Sequence, residues 1–310
     1  MNLINDIALN GVLIAIVAHG LIGISLIWDK VLLQRRGTQN LVSYVFWLGA
    51  ISVFGLILIP FGFKLPGWRL AGMAFVAGVA DLIASYFYYW ALKSGEASEE
   101  LAAMGGFAPV ATALIAIPLL KNPLGGQLTG FSLMTAGGLL MFFAEKRPLK
   151  KMLPKVVIAS AMFGMTNVLQ KIVFNETNFV TGYVFFTFGT FTGSMLLLAP
   201  PQWRQEIRKN SGGDEPRNRF WYFVNRFLAG VGSFLVVYAV SRTNPALVEA
   251  ISGVRYAVIF IGAYAITRWR PAWFREDFRR GALMAKATAT SLVIAGLVLV
   301  GLHGGKGGGA

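Results

Sequence analysis

The chain has no cysteine and only two histidines, His19 and His303, in 310 residues. This excludes disulfides, thiolate nucleophiles and iron–sulfur clusters, and it leaves no imidazole pair for zinc or haem. Charge is scarce too: Asp, Glu, Lys and Arg together make up 14% of the residues. Acidic groups are the rarer sign, 14 against 28 basic ones, which leaves a formal net charge of +14. No paired carboxylates, metal-ligand cluster or nucleophile–base set stands at recognisable spacing, so neither an enzyme nor a cofactor nor a metal is expected. What fills the chain instead is apolar: 55% hydrophobic residues and a mean hydropathy of +0.61. These residues gather in long runs parted by short polar breaks, a pattern of polytopic membrane proteins and not of water-soluble ones.

The basic residues stand in loops beside the apolar runs, where attraction to anionic lipid and loop orientation account for them. Nucleic acid is therefore not an expected partner. The first run follows "MNLIND", lacks a basic leader and is too long for a signal-peptide core, so it reads as a retained helix. The tail "HGGKGGGA" lacks the GxxxxGK[ST] spacing of a phosphate loop and reads as a flexible end.

Measured against a span of about 20 residues, the runs give ten helices, near 9–34, 41–63, 68–92, 98–119, 127–144, 153–173, 179–200, 217–241, 246–267 and 284–302. Most connections are tight and marked by Gly or Pro, as in "FGFKLPGW" and "LKNPLGGQ"; only "PPQWRQEIRKNSGGDEPRNR" and "RWRPAWFREDFRRG" have length. The halves echo each other. "GISLIWDKV" from Gly23 lies over "GMTNVLQKI" from Gly164, bringing Lys30 onto Lys171. "SYFYYWALKSG" from Ser85 lies over "SFLVVYAVSRT" from Ser233, and without a gap Gly105 then meets Gly253 and Val110 meets Val258. "SLMTAGGLL" from Ser132 lies over "SLVIAGLVL" from Ser291. Each match alone is weak, but their common order indicates a diverged duplication. Five helices per copy force the second copy into the bilayer with opposite orientation. The expected fold is thus an all-α polytopic membrane protein of ten transmembrane helices in two inverted five-helix repeats, 1–145 and 146–303, with a flexible tail at 304–310.

On these residues, with the "GGFAPVATALIAIPLL" helix around Pro109 and the "GFSLMTAGGLLM" helix after it, the chain resembles the ten-helix, EamA-type branch of the drug/metabolite transporter superfamily. The resemblance covers nearly the whole chain and implies a carrier of small metabolites such as amino acids, nucleotide sugars or, in some branches, lipid-linked intermediates. Two positions depart from the pattern. Lys121 stands where the family usually has an acidic residue, and Ala257 replaces the proline in the second half.

Basic residues crowd the loops after the first, fifth, seventh and ninth helices, as in "EKRPLKKMLPK"; the other face has few, such as Lys64, Arg69, Lys121, Arg242 and Lys306. The positive-inside rule then sets both termini outside the cytoplasm of a cell (inner) membrane protein. Relatives of this size often have cytoplasmic termini, so charge and resemblance disagree here.

A charged side chain at a helix centre costs roughly 2.5–3.5 kcal/mol to insert. His19, Asp81 and Arg255 fall near the middle of their helices; Lys30, Lys171, Glu249, Arg226 and Lys286 lie nearer the ends. Long cations near an end reach the headgroups, so Arg226 and Lys286 read as interfacial anchors. Lys30 and Lys171, equivalent across the repeat, would stand at opposite mouths of a central cavity, or else snorkel. Arg255 cannot shed its proton, so it must face a cavity, a carboxylate or an anionic ligand. The plainer account is a structural ion pair with Asp81 or Glu249. Asp81 and His19 can change protonation and are candidates for proton coupling, although His19 also reads as a packed, hydrogen-bonded histidine. Tyr89 and Trp90 could line a pocket or belong to an interfacial belt. Ser252, Tyr256 and Asn167 complete the candidate substrate contacts. Gly189 and Gly193 have the spacing of close helix packing.

These features point to a secondary active transporter that moves a small anionic or zwitterionic metabolite by alternating access, driven by protons or by exchange. The alternative is a flippase for a phosphate-headed lipid intermediate. The expected partners are a small-molecule or lipid-linked anionic substrate, membrane lipids and a second copy in a homodimer.

Overall fold

A computed structural model describes residues 3–33, 40–94, 97–121, 127–144, 149–211, 216–269 and 280–304. Every regular element among them is helical. In chain order these are α1 (Leu3–Leu33), α2 (Leu41–Ile51) running on as a 3-10 segment (Ser52–Phe61), α3 (Trp68–Ser94), α4 (Ala97–Leu120), α5 (Leu128–Ala144), α6 (Leu149–Glu176), α7 (Phe179–Leu196), α8 (Pro201–Ser211), α9 (Pro216–Arg242), α10 (Pro245–Ile251), α11 (Val254–Trp269) and α12 (Arg280–Gly304). Side-chain caps set several starts. Asn40 accepts from the Ser43 N–H, Asn178 from Thr181, and Asn244 from Ala246 and Leu247 with Pro245 following, which satisfies amides that have no partner within the helix.

Six helices are long and apolar enough to cross a bilayer, within 11–29, 41–61, 68–93, 153–176, 179–196 and 220–242. Shorter apolar helices occupy 106–120, 128–140, 257–269 and 287–300. Phe54, Ile57, Leu114, Phe227, Ile261 and Met284 are exposed along these helices, where lipid and not water is the fitting solvent. The protein is a multi-pass membrane protein. Parts of the loops at 34–39, 145–148, 212–215 and 270–279 lie outside the described residues, as does the tail from 305 on.

Two elements differ from the sequence reading. The long stretch after α7 contains a helix, α8, whose Ile207 and Trp203 pack one turn apart on Val42 and Phe46 while its other side is polar and exposed. More important, the helix read as continuous over 246–267 is broken between α10 and α11. There Ser252 N–H bonds to Glu249 O at 3.0 Å and Gly253 N–H to Ala250 O at 3.2 Å, tighter bonds than an α-helix makes. Gly253 is needed at the break because a Cβ would sit 2.7 Å from a methyl of Val293 on the crossing α12.

Small residues hold the bundle together. A Cβ on Gly78 would lie 2.0 Å from Phe186 O, and one on Gly189 would lie 2.1 Å from Phe75 O, so α3 and α7 touch backbone to backbone. Gly130 faces Gly296 and Gly137 faces Ala289 where α5 crosses α12. Around this frame α1 packs on α9 and α3 on α6, while α4 packs on α6 and α1 on α10 and α11.

Candidate functional site

The break in α10/α11 builds the centre of the molecule. In an unbroken helix the Val248 carbonyl would accept from the Ser252 amide, but that amide turns to Glu249 instead. The Val248 oxygen is taken up by another helix: His19 Nε2 of α1 donates to it at 2.9 Å. A carbonyl only accepts, so Nε2 carries the proton and Nδ1 is left as an acceptor. Into that lone pair Arg255 donates its Nε–H at 2.9 Å. The chain Arg255 to His19 to Val248 therefore requires a neutral imidazole and fixes its tautomer. It occupies one guanidinium edge of Arg255 and leaves the terminal nitrogens without a partner among the described residues. His19 is fully buried; Arg255 is half-buried.

Beside this chain lies an acidic pair. Glu249 of α10 is buried and accepts from Asn167 Nδ2 of α6 at 2.7 Å. It interacts electrostatically with Arg255 on one side and Asp81 of α3 on the other. Asp81 keeps partial accessibility midway along its helix and has no hydrogen-bond partner among the described residues. Ser252 is buried at the break, its carbonyl accepting the Arg255 amide at 2.9 Å. Five helices, α1, α3, α6, α10 and α11, thus bring His19, Asp81, Asn167, Glu249, Ser252 and Arg255 into one region.

Lys171, Trp90 and Tyr89 lie elsewhere. Lys171 donates Nζ to Ser241 O at 3.1 Å, tying α6 to the end of α9. Trp90 has the Lys155 ammonium 4.1 Å from its ring centroid and is 40% exposed. The side chains of Lys30, Tyr256 and Lys286 lie outside the described ones.

Tyr89 belongs to a second buried cluster, and with it comes a correction. Arg226, read as an interfacial anchor, is 4% exposed and forms an ion pair with Asp29, which is 0% exposed. Asp29 also accepts from Tyr44, Asn225 and, at 3.3 Å, Tyr89. Arg226 donates to Tyr89 Oη at 3.1 Å, and its guanidinium carbon lies 5.0, 5.8 and 5.6 Å from the ring centroids of Tyr44, Tyr89 and Tyr222. A cation this well supplied with a carboxylate and three aromatic faces has no reason to reach for headgroups. Asp29 is not among the residues singled out from the sequence, where it stands beside Lys30 close to a helix end. The available signal was two opposite charges, each within a few turns of the same end of helices running in opposite directions.

Comparison with known proteins follows the same line. Residues 9–144 match the model of the EamA-like transporter family. No curated protein matches. One solved structure, titled only as the crystal structure of a protein, covers 94% of this chain and 95% of its own at 15% identity with a TM-score of 0.61, which shows a shared fold.

Proposed function

We propose, from the match of residues 9–144 to the EamA-like transporter family, which belongs to the drug/metabolite transporter superfamily, that this chain is a secondary carrier working by alternating access. The six long and four shorter apolar helices make ten spans on this reading. An inverted repeat is supported by register. Laying Ser85 over Ser233 carries the ends of α3, Trp68 and Ser94, onto the ends of α9, Pro216 and Arg242. It also carries Ala97, where α4 starts, onto Pro245, where α10 starts. Laying Ser132 over Ser291 carries the Gly130 and Gly296 contact onto the Ala289 and Gly137 contact, as a two-fold axis between α5 and α12 requires.

The observation that carries the function is Arg255, held on one edge by His19 and without a hydrogen-bond partner among the described residues on the other. A permanent cation at a helix break, at the start of α11, suits a carboxylate or phosphate. Glu249 and Asp81 nearby suit a positive group, so the site fits a small anionic or zwitterionic metabolite. The same acids could carry a coupled proton. Both termini face the non-cytoplasmic side of a cell (inner) membrane on the charge distribution.

Thermal stabilisation of the purified protein by a panel of amino acids, sugar phosphates, nucleotides and polyprenyl phosphates tests this, because a ligand of the native state raises apparent stability by mass action. One class should stabilise the wild type and fail with Arg255→Ala. Equal stabilisation of a folded Arg255→Ala variant would remove Arg255 from the site, and stabilisation by polyprenyl phosphate alone would turn the carrier into a lipid translocase.

A further inference from the structure

We propose that the Asp29 and Arg226 cluster is the gate that closes the carrier at the end where α1 finishes and α9 begins, the end bearing the basic loops. The inference rests on the inverted-repeat carrier reading and adds a moving part to it.

Three observations carry it. First, the cluster straddles the seam between the halves: Asp29, Tyr44 and Tyr89 come from the first, Tyr222, Asn225 and Arg226 from the second. Every bond between the two sets must break if the halves part at this end. Second, the seam recurs at the opposite end without the charges. In the registers that lay Gly23 over Gly164 and Ser85 over Ser233, Ser25 falls on Thr166, Asp29 on Gln170, Asn225 on Ala77 and Arg226 on Gly78. Asn225 donates to the Ser25 carbonyl at 3.2 Å, and Thr166 donates to the Ala77 carbonyl at 3.1 Å, so the equivalent residues meet in both places. The fold of the repeat therefore needs the contact but not the ion pair. Third, Gln170, standing for Asp29, is 1% exposed and neither polar atom of its amide has a hydrogen-bond partner among the described residues. One end is held by an ion pair in which the Asp29 carboxylate accepts several bonds and only Nε of Arg226 is left without one among the described residues, the other by apolar contact around an unpaired amide.

A buried ion pair is weak evidence for stability, since well-packed apolar residues often do as well; its established use is to specify one arrangement among alternatives. Here it specifies closure. Two opposite charges satisfied only when the halves meet give a two-position contact that favours the state closed at this end, and the missing equivalent makes the two directions of rocking unequal.

The absence of cysteine supplies the assay, since one introduced thiol is the only thiol. Ser25 lies one turn inside Asp29 on α1 and is 1% exposed. In Ser25→Cys protein sealed in vesicles, a membrane-impermeant cationic methanethiosulfonate should label slowly from either side. Adding Asp29→Asn with Arg226→Gln should accelerate labelling roughly ten-fold or more, the scale of a lost few-bond lock, from the basic-loop side alone. Unchanged labelling in the folded variant, or equal acceleration from both sides, overturns the gate. Should the neutral pair fail to fold, Tyr44→Phe removes one bond to Asp29 and decides alone: faster one-sided labelling supports the gate, and none overturns it. No substrate is used, so an inert Arg255 would defeat the binding site while leaving this result in place, and the converse holds.

Discussion

His19 shows how much one side chain can settle. It is buried between a donor and an acceptor, Arg255 Nε and Val248 O, and satisfies both. His19→Leu would leave the two groups unpaired, at about 1–3 kcal/mol for each buried orphan. His19→Gln keeps a donor and an acceptor on one amide. We expect the Leu variant to melt a few degrees below the Gln variant, on the scale of about 2–4 °C per kcal/mol known for domains somewhat smaller than this chain; equal melting in detergent would mean that His19 only fills space. Asn167 is the parallel case. Asn167→Leu strands Glu249 in an apolar setting, and we expect a folded variant to lose the ligand stabilisation sought above, with Asn167→Asp an even worse substitution because it opposes two carboxylates. At this scale the sequence was only partly legible. His19, Asp81, Glu249 and Arg255 stood out because each is costly in an apolar run, and they share one region. Arg226 stood out equally but was misread, since distance along a helix says how deep a residue lies and not which neighbour it faces.

At the scale of elements, most helices could be read from length and polarity alone, because a bilayer demands about 20 apolar residues for each crossing. The break after Ile251 could not. It has no proline, and the equivalent Gly105 lies within an unbroken α4, so the sequence alone did not distinguish the two glycines. What crosses Gly253 is Val293 of α12, a contact between distant parts of the chain that sequence spacing does not announce. The Gly189 and Gly193 spacing did announce close packing, though not that α3 is the partner. That crossing yields a sharp contrast. Gly78→Ala puts a methyl on the Phe186 carbonyl, where backbone must move, whereas Gly72, on the same helix, has nothing within 4 Å. We expect Gly78→Ala to lower the melting temperature clearly, while Gly72→Ala is neutral or slightly stabilising, since alanine is favoured over glycine inside a helix by roughly 0.5–1 kcal/mol. Identical melting of the two would show that α3 and α7 are not in backbone contact.

For the whole molecule the faint internal matches were the informative part of the sequence, because they supplied registers that can be compared with contacts. They do not say which contacts bear charge, since in those registers Gln170 stands against Asp29 and Gly78 against Arg226. If the halves rock, the two seams and the α5 and α12 crossing must behave differently. On the proposed repeat the Gly130 to Gly296 and Gly137 to Ala289 contacts exchange with each other and would lie astride its axis, where a relative rotation displaces atoms least. The α1 and α9 seam lies off the axis and must open. Spin labels at Leu128→Cys and Val298→Cys, both exposed on α5 and α12, should therefore give one distance distribution that is the same with Asp29 and Arg226 intact or neutralised. Labels at Ile24→Cys and Phe227→Cys, exposed on α1 and α9, should give a second, longer population when the pair is neutralised. Movement of both pairs would mean that the halves do not pivot at α5 and α12, and movement of neither would leave the charge network as a static brace.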